Sequence, residues 1–200
     1  MILMSVDQST THTAIIIWRE GKPVFREMIQ TGLESTKGRK KGVIYFGTRI
    51  EQIKFIIGKI DELIKSFQVT DYVMEALSFG SIGNATRDLA GLFYCIQYFL
   101  LSEHFDLKHI HTIAPTSVKS FARDFLPVEL QTESKEKVDK KTGKVVVSTA
   151  KTKMDKDQMI IACENDYPGW LNGVTKTAGK ADYADSYFIG KKLLSDKGEL

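Results

Sequence analysis

The chain has 200 residues, 42% of them hydrophobic and 26% charged, proportions that are typical of a globular domain with a sizeable core and that exclude a low-complexity or fibrous chain. The net charge of +3 permits an anionic partner without requiring one. The two cysteines, Cys95 and Cys163, lie in apolar helical patterns, which favours buried thiols over a disulfide framework. Since neither a secretory signal nor a membrane-spanning run is visible, we expect a soluble, cytoplasmic protein without a membrane partner.

The first part of the chain predicts three short antiparallel strands followed by a helix. Apolar runs rich in β-branched residues occupy Ile2–Val6, Thr13–Trp18 and Val24–Ile29, and such residues favour strands. A polar, basic loop then covers residues 32–42. From residue 47 to residue 67 isoleucines recur at steps of three and four, which is the spacing of an amphipathic helix.

The middle of the chain predicts strands that alternate with helices. The strand candidates are Asp71–Leu77 and His109–Ala114, and the second is followed by a helix that Thr116 or Ser117 could cap and that runs to about residue 125. Between these strands, Asn84–Ser102 predicts a helix that is apolar on more than one face. Such a helix is either deeply buried or shared with a second subunit.

The segment from about residue 127 to residue 153 differs in composition from its surroundings, because it is rich in lysine and poor in large apolar residues. We predict a basic insertion or flap here, with a hairpin turn at residues 141–144, although a solvated linker would have a similar composition. Lysines that contact phosphates supply much of a protein's affinity for nucleic acid. The candidate DNA-binding residues are three lysines of this insertion and a basic cluster in the loop at 32–42, namely Lys140, Lys141, Lys144, Arg39, Lys40 and Lys41.

Two helices end the chain, over Gln158–Asn165 and Ala181–Leu194, and Asp155 with Gln158 predicts a capping box for the first of them. Three antiparallel strands followed by alternating helices and strands predict an α/β fold. We expect a mixed five-stranded sheet, antiparallel and then parallel, with helices on both faces. All 200 residues would then form one domain, interrupted by the basic insertion.

Four carboxylates occupy places that this topology brings together. Asp7 and Glu75 lie at the carboxyl ends of two central strands, where ligands commonly bind, and Asp182 and Asp185 share one face of the last helix. Taken singly, Glu75 could meet solvent at a strand end and the paired aspartates could favour the positive helix N-terminus. Four anions that converge need a counter-charge, and an oxygen-only ligand set suits Mg²⁺ or Mn²⁺. Two such ions can hydrolyse a phosphodiester.

The order of these acids resembles that of the RuvC family of Holliday junction resolvases, which have an RNase H-like fold. The stretches that carry the resemblance are "SVDQST", "YVMEALSFGSIGNATRDLAG", "IAPTSVKSFA", "KMDKDQM" and "KADYADSYFIG". The resemblance implies a Mg²⁺-dependent homodimeric endonuclease that cuts two opposed strands of a four-way DNA junction. It also implies that two ions bind at Asp7, Glu75, Asp182 and Asp185.

The resemblance implies roles for three further residues. Lys119 and Lys156 match two basic residues that lie close to the cleaved phosphate, and Phe79 is nearest to an aromatic that stacks on a base. The chain departs from the bacterial enzymes in having Gln8-Ser9-Thr10 where they have Pro-Gly, and in its longer basic insertion. Both departures favour a phage or other viral branch, acting in the cytoplasm of a bacterial or phage-infected cell.

Three alternative functions are open at this point. The same acids would serve an RNase H-like nuclease that acts on RNA–DNA hybrids or on other branched DNA. The stretch "VDQSTTHTAIIIW" also resembles the phosphate-binding loop of actin-like sugar and glycerol kinases, but Ser9 stands where a glycine normally lets the phosphate approach the backbone. An inactive nucleic-acid-binding protein is the third, and the four retained acids argue against it because they would repel one another without a metal.

Overall fold

The computed structural model describes residues 1–77, 83–138 and 145–200. Six strands form the main sheet: β1 Ile2–Asp7, β2 His12–Arg19, β3 Lys22–Leu33, β4 Ile44–Phe46, β5 Asp71–Glu75 and β6 Ile110–Ile113. The helices are α1 Arg49–Phe67, α2 Asn84–Glu103, α3 Pro115–Arg123, α4 Lys156–Asp166 and α5 Lys180–Asp196. A separate hairpin consists of β7 Thr132–Val138 and β8 Val145–Lys151.

The main sheet is mixed, with strand order β4-β3-β2-β1-β5-β6. β1, β2 and β3 are antiparallel neighbours, whereas β5 runs parallel to both β1 and β6. This confirms the predicted α/β fold with antiparallel and then parallel strands. The predicted count of five strands is wrong by one, because β4 pairs parallel to the end of β3. With three residues, β4 is too short to show an alternating pattern in the sequence.

Helices cover both faces of the sheet, and β2 supplies side chains to both layers. Ile15 and Ile17 pack on the side of α1 and α2, while Ile16 and Trp18 pack on the side of α3, α4 and α5. Successive side chains of a strand point to opposite faces. Both faces of β2 are therefore buried, which explains its almost continuous apolar sequence. None of the described helices is long and apolar enough to cross a membrane.

Two helix starts test the predicted caps. The Asp155 carboxylate accepts hydrogen bonds from the backbone N–H groups of Asp157 and Gln158, at 2.9 and 3.1 Å, and so caps α4. The reciprocal hydrogen bond from the Asp155 backbone N–H to the Gln158 side chain, which would complete the predicted capping box, is not formed among the described residues. The predicted capping of α3 by Thr116 or Ser117 is wrong. That helix begins at Pro115, so Thr116 and Ser117 lie inside its first turn. Its N-cap residue is Ala114, which has no side-chain oxygen to accept a hydrogen bond.

The predicted basic insertion contains the β7–β8 hairpin, whose pairing runs from Thr132 opposite Lys151 to Val138 opposite Val145. Its base is tied to the domain, because the N–H of Thr152 donates to the carbonyl of Gln131 at 3.0 Å and Arg123 Nε donates to the carbonyl of Thr152 at 2.8 Å. The predicted turn at 141–144 lies outside the described residues, and so do Lys140, Lys141 and Lys144.

Helix α5 lies very close to β1 and β2 because Gly190 has no side chain. Trp18 Nε1 donates to Ser5 Oγ at 2.9 Å, and Ser186 Oγ on α5 donates to the carbonyl of Ser5 at 3.0 Å. A Cβ atom on Gly190 would lie 2.6 Å from Trp18 Cε2 and 2.8 Å from Ser5 Oγ. The close approach holds the start of α5 in place, and the first two turns of this helix carry Asp182 and Asp185.

We expect Gly190→Ala to lower the free energy of unfolding by about 1–3 kcal/mol, because a methyl group forced into a packed contact displaces its neighbours. Urea unfolding followed by circular dichroism measures this change.

The matched control is Gly58→Ala in α1, where a Cβ atom would meet no atom within 4 Å. This variant should be more stable than the wild type by up to about 1 kcal/mol, since alanine is the better helix former. Equal behaviour of the two variants would contradict the close packing of α5 on the sheet.

Candidate metal centre

The site lies where β1 and β5 end. The parallel pairing of these two strands stops at Val6 opposite Met74, so the next residues, Asp7 and Glu75, lie side by side at the carboxyl edge of the sheet. α5 starts near the same edge and packs along the face of β1, β2 and β5. Its Asp182 and Asp185 are three residues apart and therefore face the same way.

Three of the four predicted carboxylates meet closely. Oxygen atoms of Asp7, Asp182 and Asp185 all lie within 4.8 Å of one another, and all three residues are half-buried. Glu75 is not a member of this group of three. It is close enough, however, for its charge to raise the pKa of Asp7 and for Asp185 to raise the pKa of Glu75. We call Asp7, Glu75, Asp182 and Asp185 the carboxylate cluster.

The electrostatics of the cluster favour bound positive charge. Burial, followed by the charges of Asp185, Glu75 and Asp182, holds the pKa of Asp7 well above its usual value. Burial and Asp185 raise the pKa of Glu75 to about 7. Burial, with a smaller contribution from Asp182, raises the pKa of Asp185 to about 6. A cation would relieve this repulsion, and the all-oxygen ligand set fits Mg²⁺ or Mn²⁺ rather than a softer metal.

Both predicted lysines lie beside the cluster. Lys156 Nζ is 3.3 Å from Asp182 Oδ1, and the charge of Asp182 raises the pKa of Lys156. The Lys156 side chain is 74% exposed, so its ammonium group can also reach a ligand in solvent. Lys119 lies exposed on α3, close enough for its charge to lower the pKa of Asp185 and of Glu75.

The basic residues predicted in the loop at 32–42 are not part of the cluster. Phe79 lies outside the described residues. Arg39, Lys40 and Lys41 are exposed in the loop that follows β3, whose last residue, Leu33, lies at the same edge of the sheet as Asp7. The Arg39 guanidinium is 3.9 Å from a carboxylate oxygen of Glu34 and lies over the ring of Tyr45.

Gln8 is a residue of the site whose sequence signal is only its departure from the bacterial enzymes, with no role predicted for it. It is 6% exposed, and its Nε2 donates a 2.6 Å hydrogen bond to the backbone carbonyl of Glu75. The backbone pairing of β1 with β5 ends at Val6 and Met74, and this side-chain hydrogen bond continues the connection between the two strands beyond that point. Gln8 Oε1 is buried and has no partner among the described residues. The amide therefore holds together the two strand ends that carry Asp7 and Glu75.

Stability should depend on pH and on metal through the cluster. Glu75 has an ordinary pKa of 4.5 and a pKa of about 7 in the folded chain, so the folded state binds its proton more tightly than the unfolded state. Protonation of Glu75 therefore adds to the free energy of unfolding. This contribution is fully present below pH 4.5 and is lost as the pH rises through about 7. In EDTA the melting temperature should therefore fall over this range, and Mg²⁺ should reverse the fall because it binds the deprotonated acids.

The comparison for this measurement is Asp7→Asn/Asp185→Asn. Thermal unfolding of this variant should depend less on pH and respond less to Mg²⁺ than that of the wild type. Identical pH profiles for the two proteins would contradict the assignment of the effect to the cluster.

We expect Gln8→Leu to remain folded but to bind Mn²⁺ roughly 10-fold more weakly, because a group that orients metal ligands typically contributes this much. Titration calorimetry with Mn²⁺ measures the affinity without any need for catalysis. Gln131→Leu is a matched control, since Gln131 Nε2 also donates to backbone carbonyls, those of Asp124 and Leu126. This control should keep the wild-type affinity, and an unchanged affinity in Gln8→Leu would exclude a positioning role.

No protein-family model matches the sequence, and no curated protein is significantly similar to it. Among solved structures, RuvC of T. thermophilus in complex with a Holliday junction substrate is similar over 100% of this chain and 97% of its own, with 11% identity and a TM-score of 0.61. A second Thermus thermophilus RuvC structure is similar over 99% of this chain and 97% of its own, with 12% identity and a TM-score of 0.60. The yeast mitochondrial Holliday junction resolvase Ydc2 is similar over 98% of this chain and 79% of its own, with 14% identity and a TM-score of 0.56. The chain therefore has the RNase H-like fold of the RuvC-type Holliday junction resolvases.

Proposed function

We propose that this protein is a metal-dependent endonuclease that resolves four-way DNA junctions. The observation that carries the proposal is the meeting of Asp7, Asp182 and Asp185 within 4.8 Å at the carboxyl edge of the sheet. The fold adds support, since one similar structure is named as a Holliday junction resolvase and another holds a Holliday junction substrate. Neither composition nor charge contradicts a DNA partner.

The carboxylate cluster would hold the metal, with Mg²⁺ as the expected ion, Mn²⁺ as a substitute, and two ions in each site. When bound, these ions would lower the pKa of an attacking water and stabilise the charge on the leaving oxygen of a phosphodiester. The chain itself supplies fixed anions from two strand ends and one helix. Because α5 and the β1–β5 pair belong to the packed core, the ligands are held on rigid elements.

Lys119 and Lys156 supply positive charge beside the cluster. A phosphodiester that approaches the acids would be repelled by them, and two neighbouring ammonium groups offset that repulsion. They would also stabilise the additional negative charge that develops on the phosphate during cleavage. Lys156 is held by Asp182 in this structure, which places the lysine at the cluster before DNA arrives.

A homodimer would suit the substrate, because a four-way junction has approximate two-fold symmetry and needs two opposed cuts. The outer face of α2 is the proposed contact between the subunits. Tyr94, Tyr98 and Leu101 are 63%, 75% and 52% exposed and lie one above the next at helical spacing. The opposite face of α2, with Leu92 and Ile96, is buried in the core.

The decisive test is cleavage of a labelled synthetic four-way junction with Mg²⁺ and with EDTA, beside a linear duplex and an RNA–DNA hybrid. We expect paired, Mg²⁺-dependent nicks confined to the junction. Asp7→Asn should reduce cleavage to the level seen with EDTA while junction binding stays close to that of the wild type, because the change removes a ligand charge and keeps the side-chain shape. The matched control is Asp157→Asn in α4, an exposed residue paired with Lys176, which should cut at the wild-type rate.

Preferential cutting of the hybrid or of the linear duplex would overturn the junction substrate but not the metal site. Absence of cutting on all three substrates, together with tight junction binding, would overturn the nuclease and favour a binding protein. Loss of folding in Asp7→Asn would argue that Asp7 is a structural residue.

A further inference from the structure

A small cavity of about 190 Å³ opens at the same edge of the sheet as the carboxylate cluster, on the side of β3. Its walls come from the turn between β1 and β2, from the end of β3, from the basic loop that follows, and from the start of α1. The residues that matter for its chemistry are Thr11, His12, Lys37, Lys40, Tyr45 and Arg49. We call this space the β3 cavity.

The β3 cavity is cationic. Lys37, Lys40 and Arg49 contribute three positive charges, and no carboxylate is among the described residues that line it. None of the ion pairs formed within the described part of the chain involves Lys37 or Lys40, whereas Arg49 is paired with Asp88 at 2.6 Å. Two lysines without a carboxylate partner in the described structure and one arginine with a partly neutralised charge therefore line the same space, and their net positive charge favours an anion.

The guanidinium of Arg49 has an unused donor. Its other nitrogens bond to Asp88 and Gln52, but the buried Nε has no acceptor in the described structure. Arg49 is also the first residue of α1, where the helix dipole adds partial positive charge. An anion oxygen would satisfy a donor that is costly to leave buried without a partner.

The walls of the cavity are fixed before any ligand binds. Gln52 is fully buried and its Nε2 donates to Thr31 Oγ1 at 2.9 Å and to the carbonyl of Thr10, which ties α1 to the turn between β1 and β2. The backbone N–H of Lys40 donates to Tyr45 Oη at 2.7 Å and so anchors the basic loop. Binding an anion here would therefore cost little ordering of the backbone.

The distance to the carboxylate cluster suits one continuous DNA strand. Asp7 ends β1, His12 begins β2, and Leu33 ends β3 at this edge. The register places Asp7 beside Ala14 and Ala14 beside Met28, so the end of β3 that lines the cavity lies two strands across and three to five residues further along the strand direction. With about 4.8 Å between strands and about 3.3 Å per residue, the cavity is about 14–19 Å from Asp7. Successive backbone phosphates of one strand cover such a distance in two or three steps.

From these observations we propose that the β3 cavity binds one backbone phosphate of the DNA strand that the carboxylate cluster cuts, two or three nucleotides from the cleaved bond. This inference rests on the proposed nuclease function and assigns it a second anchoring point on the substrate. The cavity thereby fixes the position of the strand along the edge of the sheet.

The test uses Lys37→Gln/Lys40→Gln in the full chain, with a fluorescent four-way junction in EDTA so that no strand is cut. Relative to the wild type, we expect affinity to fall about 10-fold at low salt and the slope of log affinity against log salt to become shallower by about 1, as for the loss of one phosphate contact. Lys22→Gln/Lys65→Gln removes two charges at the opposite edge of the sheet, at the start of β3 and in the last turn of α1, and should leave the slope unchanged.

A scan of neutral methylphosphonate linkages then locates the contact. For the wild type, one linkage near the cleavage position should weaken binding by about as much as the double substitution does, and Lys37→Gln/Lys40→Gln should be insensitive to that same linkage. Equal sensitivity of both proteins at every position would overturn the inference. A second outcome would also overturn the inference: no linkage affects binding of the junction (a flat scan), while inorganic phosphate binds the wild type but not Lys37→Gln/Lys40→Gln. That result would assign the cavity to a free anion.

These outcomes are separate from those of the proposed function. Binding in EDTA measures the phosphate contact whether or not the chain cuts DNA, whereas the cleavage assay measures the metal site. A wild type that binds neither junction nor duplex would overturn the proposed function together with this inference. A wild type that cuts junctions but gives a flat scan would overturn the inference alone.

Discussion

Repulsion between acids is the constraint on which the rest of this structure depends. Asp7, Asp182 and Asp185 are held within 4.8 Å of one another, although burial and mutual repulsion raise the pKa of two of them, Asp7 and Asp185. The domain has to supply the force that keeps them together. That force comes from the close packing of α5 on the sheet, where Gly190 lets the helix lie against Trp18 and Ser5.

The site is assembled from elements that are far apart in sequence but adjacent in the sheet. β1 provides Asp7, β5 provides Glu75, and Gln8 joins the two strand ends through the Glu75 carbonyl. Charges of opposite sign are arranged around this group, with Lys119 and Lys156 on the helices of one layer and the lysines of the β3 cavity on the other side of β1. A negatively charged strand that follows the carboxyl edge of the sheet would pass from one basic group to the next.

Sequence patterns predict the elements of this fold well and their fine contacts poorly. The apolar runs of β1 and β2 and the isoleucine spacing of α1 locate these elements to within two residues, because burial determines the pattern. Strand β4 could not be predicted, since three residues carry no periodicity and its pairing with β3 is a tertiary contact. The placement of Asp7, Asp182 and Asp185 follows from topology alone. The role of Gln8 does not, because its burial depends on Glu75, which lies 67 residues further along the chain.

The alternation of β2 between two cores has a consequence for how the molecule opens. Ile15 and Ile17 belong to one layer and Ile16 and Trp18 to the other, so neither layer can separate from the sheet without exposing the strand that both share. Opening of β2 is therefore costly, and its buried backbone amides should be among the slowest in the domain to exchange with solvent. None of the described side chains of the β7–β8 hairpin belongs to either core, and Val145 and Val147 are exposed. The backbone amides of this hairpin should therefore exchange faster than those of β2.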